Sequence, residues 1–419
     1  MVSTIDFHLK SPELSIDRYT KQRQIELGRQ LDGRIGVYLD QKFWIMLRKA
    51  HAGHASPVAE KLLALMRDLV GDGAVFCPIS ETVFLELMKQ EDVNSRIRTA
   101  ELIDELSLGV ALAPFDVRAG TELAHFTHSF LTKPSSLVPL RHLVWTKLSY
   151  VLGFIHPSHT AFDAATELAI QKAFVDELWP MTLATMMKTI GGADIPSDLS
   201  VEKWAASTNR NSAKHAAELG SFAQAYETEL RGSLELLDGI VMEIARDLAT
   251  KTGEPFPPYL SRDWMEQKKM WLNLLFRVLK EDVHRRRLPS IHVVARIHAA
   301  YRWDKKRQFE ANDLYDIFHA SAALGFCGAF FTERGLRKTI SDNHVGLDRL
   351  YGCSVMASPA EAVTFLEGLA RKANELADRA ASVSHIENAR GNPTLDKLDS
   401  PAGALEVSSL DRSNRGGGA

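Results

Sequence analysis

The chain has 419 residues, room for more than one core, because domains usually run to about 100 to 200 residues. Its formal charge is −3 with charged residues at 25%, which excludes a global positive field for nonspecific nucleic-acid binding; any polyanion site must be local. The three cysteines, Cys77, Cys327 and Cys353, have no C-x-x-C spacing and lie beside strand-forming residues, which argues against zinc or disulfide chemistry and for a reducing compartment.

Residues 1–33 read as a polar leader without the unbroken apolar segment of a signal peptide. Nothing further along approaches the ~20-residue apolar run of a membrane helix, so a cytoplasmic protein with no membrane partner is expected. Gly36-Val37-Tyr38-Leu39 predicts a buried strand, and residues 42–50 and 58–70 predict helices with apolar residues at helical spacing. Gly71-Asp72-Gly73 is a turn before a second strand, Ala74-Val75-Phe76-Cys77, and Pro78 with Ser80 as N-cap opens a helix over 81–90. Residues 96–106 continue as helix and 109–115 form a short apolar run of strand character. From Thr121 to Pro289 apolar residues recur every three or four positions, and Pro180, Gly191-Gly192, Pro196 and the prolines from Pro255 to Pro258 divide the stretch into roughly six helices. Strand patterning returns at 326–332 and 353–357, after a helix over 314–324. Ser358 and Pro359 then start a helix to about Ala381, as N-cap and first helical residue. From Ser384 the chain is polar and glycine-rich, the composition of a disordered tail. The expected fold class is α/β: a parallel sheet with flanking helices, split by a large all-helical insertion. The segments are a leader (1–33), a first core part (34–118), the insertion (119–289), a second core part (290–358), a C-terminal helix (359–383) and the tail (384–419).

Five carboxylates stand at strand ends or helix starts in this scheme: Asp40, Glu86, Asp313, Asp316 and Glu333. In a parallel sheet with helical crossovers, strand carboxyl ends and helix N-termini share one edge, where such folds bind ligands. Two unit charges 4 Å apart repel by ~4 kcal/mol at an effective dielectric of ~20, and a hard dication removes that penalty. Asp313 and Asp316, three apart, project from one helical face and can share an ion. Each position also has a plainer reading. Asp40 can cap the helix that follows, and Asn312 or Asp313 with Asp316 can form an ordinary helix start with favourable dipole charge. Glu86 lies within Val83-Phe84-Leu85-Glu86-Leu87-Met88, where every helical face is apolar, so it is expected to point into a cleft.

The segments Val37-Tyr38-Leu39-Asp40, Ser80-x-x-Val83-x-x-Glu86-Leu87 and Asn312-Asp313-Leu314-Tyr315-Asp316-Ile317-Phe318-His319-Ala320, followed by Phe331-Thr332-Glu333, resemble the motifs of PIN-domain nucleases. The resemblance covers about residues 34–118 and 290–358 and leaves the insertion and tail outside it. It implies a PIN-like sheet and an endoribonuclease dependent on Mg²⁺ or Mn²⁺, hydrolysing phosphodiester bonds of single-stranded RNA through metal-activated water, with 5′-phosphate and 3′-hydroxyl products. It implies Asp40, Glu86 and Asp316 as catalytic metal ligands, Asp313 supporting them, and Glu333 at a fourth acidic position where the family usually has Asp after Thr. The alternative is a noncatalytic PIN-like scaffold whose insertion binds a protein or RNA partner; homodimerisation through the insertion is also open. A haloacid-dehalogenase phosphatase would need a second acid two residues after Asp40, where this chain has Lys42, and no G-x-G-x-x-G or Walker sequence follows a strand.

Arg285-Arg286-Arg287, Arg296, Arg302 and Lys305-Lys306-Arg307 precede the acidic helix and can hold RNA phosphates with Trp303 for stacking, or form a solvated face. Lys42, Arg334 and Arg337 adjoin the carboxylates and are equal candidates for phosphate contacts. The pairs His51/His54, His125/His128 and His156/His159 lack the companion ligands of a zinc site. His319, one turn after Asp316, is expected as a core or supporting histidine, and the tryptophans of the insertion as packing residues.

Overall fold

The structure is a computed structural model that describes residues 4–131, 136–191, 201–215 and 220–389. Its centre is a four-stranded sheet in the order β2-β1-β5-β6, where β1 is Ile35–Leu39, β2 Val75–Phe76, β5 Ala329–Phe331 and β6 Ser354–Met356. All three pairings are parallel: Ile35 with Val75, Val37 with Ala329, and Ala329 with Ser354 begin the registers. Val37, Tyr38 and Leu39 are each fully buried, as are Phe330 and Phe331. Strands covered on both faces read as continuous apolar runs instead of alternating ones, and that is how these strands read. The chain returns from β1 to β2 through helices Gln41–His51 and Pro57–Gly71, and from β5 to β6 through Arg334–Ser341 and Leu347–Tyr351. Helical crossovers between parallel strands bring the ends of β1, β5 and β6, and the helices that follow them, to one edge. The edge is tied beyond the strands: Asp40 N–H donates to Phe331 O at 3.0 Å and Thr332 N–H to Met356 O at 2.9 Å.

One expectation needs correction. The insertion is not all-helical, because Trp145–Lys147 is a strand, β4, pairing antiparallel with β3, Val110–Leu112. Val144, Trp145 and Thr146 are buried against the equally buried Val110, Ala111 and Leu112, and β-branched and aromatic side chains suit that half-buried pleated surface. Residues 4–33, the described part of the segment expected as a polar leader, carry helices Ile5–His8 and Ile16–Gln30. Helix Ile16–Gln30 is capped by Ser15, whose hydroxyl accepts from Arg18 N–H at 3.3 Å, and it sends Leu27 into the main core together with Leu31. A Cβ on Gly28 would lie 2.5 Å from His142 Cα, so glycine is what lets this helix close on the short turn Leu140–His142. Asp176 completes the attachment by accepting hydrogen bonds from Tyr19 and His8.

Two apolar clusters fill the molecule. One surrounds the sheet. The other packs Ala119, Leu123 and Phe126 against Tyr226, Leu230 and Phe276 of the insertion and Ile291 and Ala295 of helix Pro289–Trp303. The insertion thus shares a core with helices that flank the sheet, and the chain to Ala370 forms one compact unit, with a second from Arg371. Helix Pro359–Ala389 continues through residues 384–389, which were expected to be disordered; residues 390–419 lie outside the described residues. Among the described residues no helix is long and apolar enough to cross a membrane. All three cysteines are buried and unpaired.

Candidate active site

Asp40 follows β1 and caps helix Gln41–His51: its Oδ1 accepts from Phe43 N–H at 3.2 Å. Capping does not leave the carboxyl in solvent, because the residue is only 5% exposed. Burial raises its pKa to about 6; the nearby His319, the Phe43 N–H and the Thr332 hydroxyl pull it down, and Glu333 pushes it further up.

Glu86 lies on helix Glu81–Met88, which starts at Ser80, whose hydroxyl accepts from Thr82 N–H at 3.2 Å. Glu86 meets an imidazole: His319 Nε2 stands 2.8 Å from Glu86 Oε2. On its other side, His319 Nδ1 stands 2.8 Å from the Tyr38 hydroxyl, which is 2.6 Å from Ser80 Oγ. Burial opposes an imidazolium here, but the Glu86 hydrogen bond and the charges of Glu86, Asp40 and Asp316 outweigh it, so the His319 pKa is raised. In the charged form both ring N–H groups donate, to Glu86 and to Tyr38, leaving the phenol proton for Ser80. Tyr38, Ser80 and His319 are all buried, so this chain of bonds is rigid and shielded from water.

Asp316 sits one turn before His319 on helix Asp313–Leu324. Its pKa rises to about 7, chiefly by burial, with the charges of Asp313, Glu333 and Asp40 adding to the rise and His319 opposing it. Asp40, Asp316, Glu333 and Glu86 therefore share one electrostatic neighbourhood centred on His319. Asp313 is different. It is 5% exposed, but its Oδ1 accepts from Arg307 and its Oδ2 from Glu310 N–H at 2.8 Å, so both oxygens have partners that fix the helix start. Glu333 is solvent-exposed at the end of β5 and makes no capping bond to helix Arg334–Ser341.

No family model, curated protein or solved structure matches the chain. The chemistry of the donor set fits a hard divalent cation: it is all carboxylate, crowded and partly desolvated. Among the described residues no three His, Cys, Asp or Glu side chains are already arranged around one ion position, and Glu86 is drawn to His319.

The basic stretch before the acidic helix is mostly committed to the fold. Arg285 pairs with Asp282 and lies over the Tyr226 ring, Arg287 donates to Ser129 and lies over Phe126, and Arg296 donates to Val345 O and His344 O, both at 2.8 Å. Arg302 pairs with Glu229, and Arg307 with Asp313. Arg286, Lys305 and Lys306 of that run make neither an ion pair nor a side-chain hydrogen bond among the described residues, which leaves the solvated-face reading for those three and a structural role for the rest. The histidine pairs are likewise taken up singly: His51 Nδ1 lies 3.0 Å from Arg67, and His128 Nδ1 2.7 Å from Ala124 O.

Ser80 was expected only as an N-cap and Tyr38 only as a strand residue, and neither as a partner of His319. The available signal was a hydroxyl in the middle of an otherwise apolar buried strand, which must find a partner inside the protein.

Proposed function

We propose that this protein is a PIN-like endonuclease dependent on Mg²⁺ or Mn²⁺, acting on single-stranded RNA. The observation that carries the reading is the pair Asp40 and Asp316, raised to about 6 and about 7 at the carboxyl edge of a parallel sheet beside Glu86 and Glu333. A fold tolerates buried carboxylates held so far from their ordinary range where their charge is used, and strongly perturbed groups in clefts mark functional sites. Asp40, Glu86 and Asp316 would hold the ion. Bound there, a divalent cation supplies positive charge to the phosphate oxygens and lowers the pKa of a water molecule. The chain's own residues set the stage. Phe43 N–H fixes one Asp40 oxygen, His319 fixes one Glu86 oxygen, and Arg307 with Glu310 N–H anchors the helix that carries Asp316. Glu333 faces the substrate from the solvent side.

The test is cleavage of a labelled single-stranded RNA in Mn²⁺ by the wild type and by Asp40→Asn. Loss of cleavage with the fold intact is expected, and a wild-type rate in the variant overturns the assignment. The noncatalytic scaffold is separated by melting with and without Mn²⁺: an ion bound only by the folded state raises the midpoint with concentration. No shift at millimolar metal favours the scaffold.

A further inference from the structure

We infer that a basic groove beside Glu333 is a subsite for a phosphodiester of single-stranded RNA next to the one that is cleaved. The inference rests on the endonuclease reading for the cleaved bond, but the groove is defined by its own residues. Helix Arg334–Ser341 begins immediately after Glu333 and places Arg334, Arg337 and Lys338 at positions i, i+3 and i+4, on one face. That face and the chain at Ala357 and Ser358, just past β6, enclose a cavity of about 300 Å³.

The charges in this groove are uneven. Its one acid, Glu361, is already used: it pairs with Arg337 at 2.6 Å and accepts from the backbone N–H groups of Ala357 at 3.0 Å and Ser358 at 3.2 Å. The Arg337 bond, the Ala357 N–H and the Ser358 side chain hold its pKa down at about 2, so it stays an anion that orients Arg337. Arg334 and Lys338 are exposed and have no acidic partner among the described residues. They are two uncompensated cations in a chain of net charge −3. The lining holds arginine, lysine, serine and backbone but no aromatic ring on which a base would stack. Such a lining contacts the sugar–phosphate backbone without reading bases.

Position selects the ligand. β5 lies between β1 and β6 in the sheet, so the ends of β1 with Asp40, β5 with Glu333 and β6 with Ser358 follow one another at strand spacings of about 4.8 Å. A polyanion laid along this edge meets carboxylates over β1 and β5 and cations over β5 and β6. A single strand follows such a turn more readily than a duplex. The other basic stretch, before the acidic helix, competes weakly for this role, because five of its six arginines are tied to Asp282, Ser129, Val345, Glu229 and Asp313.

The test separates binding from cleavage. A fluorescein-labelled oligoribonucleotide is titrated with the full chain in EDTA across 50 to 300 mM salt, using wild type, the double variant Arg334→Ala/Lys338→Ala and the control Lys305→Ala/Lys306→Ala. Losing two single-strand phosphate contacts at about −0.7 each should reduce the log–log salt slope by about 1.4 and weaken binding about sixtyfold at 50 mM salt. The control should match wild type. An unchanged slope and affinity in the Arg334/Lys338 variant overturns the subsite, as does equal weakening in the control or failure of the wild type to bind RNA. An oligodeoxyribonucleotide of the same sequence should lose the same slope, since only phosphates are touched; tighter wild-type binding to DNA than to RNA overturns the RNA assignment. If RNA binds through the groove and no cleavage follows on adding Mn²⁺, the endonuclease reading fails while the subsite stands.

Discussion

Replacing Asp40 by Asn should make the protein more stable while destroying its site. The carboxyl is 5% exposed and its pKa is raised from 3.8 to about 6. A raised acid favours its neutral form in the fold, so its contribution is fully present below about pH 4 and is lost as pH rises through about 6. At pH 7.5 the folded wild type carries the whole cost of ionisation, about 3 kcal/mol for a shift of about two units at 1.36 kcal/mol each. Asn is as good an N-cap as Asp, so the bond from Phe43 N–H survives the change. The expected gain is about 3 kcal/mol at pH 7.5, about 1.6 at pH 5 and nothing near pH 3.5. At about 2.1 cal/mol/K per residue over a unit that ends at Ala370, this raises the melting midpoint by about 4 °C at pH 7.5. Melting in EDTA by circular dichroism across this pH range measures it. A variant that melts below the wild type, or whose gain does not shrink as pH falls, refutes the argument that Asp40 is a desolvated, frustrated charge.

The remaining expectations concern the same network and its supports. In Mn²⁺ at a thousandfold its Kd the wild type should gain about 4.1 kcal/mol and Asp40→Asn much less, which exceeds the variant's advantage of about 3 kcal/mol and reverses their order in melting experiments. His319→Ala removes the group that fixes Glu86, and the Mn²⁺ midpoint for cleavage should weaken by about 10- to 100-fold, the usual cost of losing an orienting partner; an unchanged midpoint would leave His319 a packing residue. Glu122 is fully buried with a pKa raised to about 8, so its stabilisation is lost as pH rises. Glu122→Gln should remove about 1.4 kcal/mol per pH unit of that loss between pH 5 and 8, read from urea unfolding of both proteins. Arg307→Ala leaves the buried Asp313 carboxylate without its cation and should destabilise by about 1 to 3 kcal/mol, with a matching fall in urea midpoint.

The sheet and its carboxyl edge were legible because local patterns and the global fold agree there. The buried run at Val37-Tyr38-Leu39, the turn at Gly71-Asp72-Gly73 and the capped helix after Ser80 each mean one thing wherever they occur. Parallel pairing then forces Asp40, Glu333 and the helices after them to one side. The strand at Trp145–Lys147 was hidden because three residues are too few to show a period, and their partner, Val110–Leu112, is distant in sequence. The same limit applied to pairing among charges. Nothing local told that Arg302 would meet Glu229, or that Arg296 would reach the carbonyls of His344 and Val345, so a run of cations read as a surface when most of it is structural. His319 was placed near the site by its helical distance from Asp316, yet its bonds to Tyr38 and Glu86 join three separate segments and exist only in the assembled fold.

The pairing of Val37 with Ala329 has a temporal side. The central strand leaves the ribosome roughly 290 residues ahead of its neighbour, which at about 5 to 20 residues per second is a wait of about 15 to 60 s. Until then Asp40 has neither Asp316 nor Glu333 beside it. The carboxylate edge is therefore assembled only after the second half of the sheet has been made, and the first half must wait for it without its neighbouring strand.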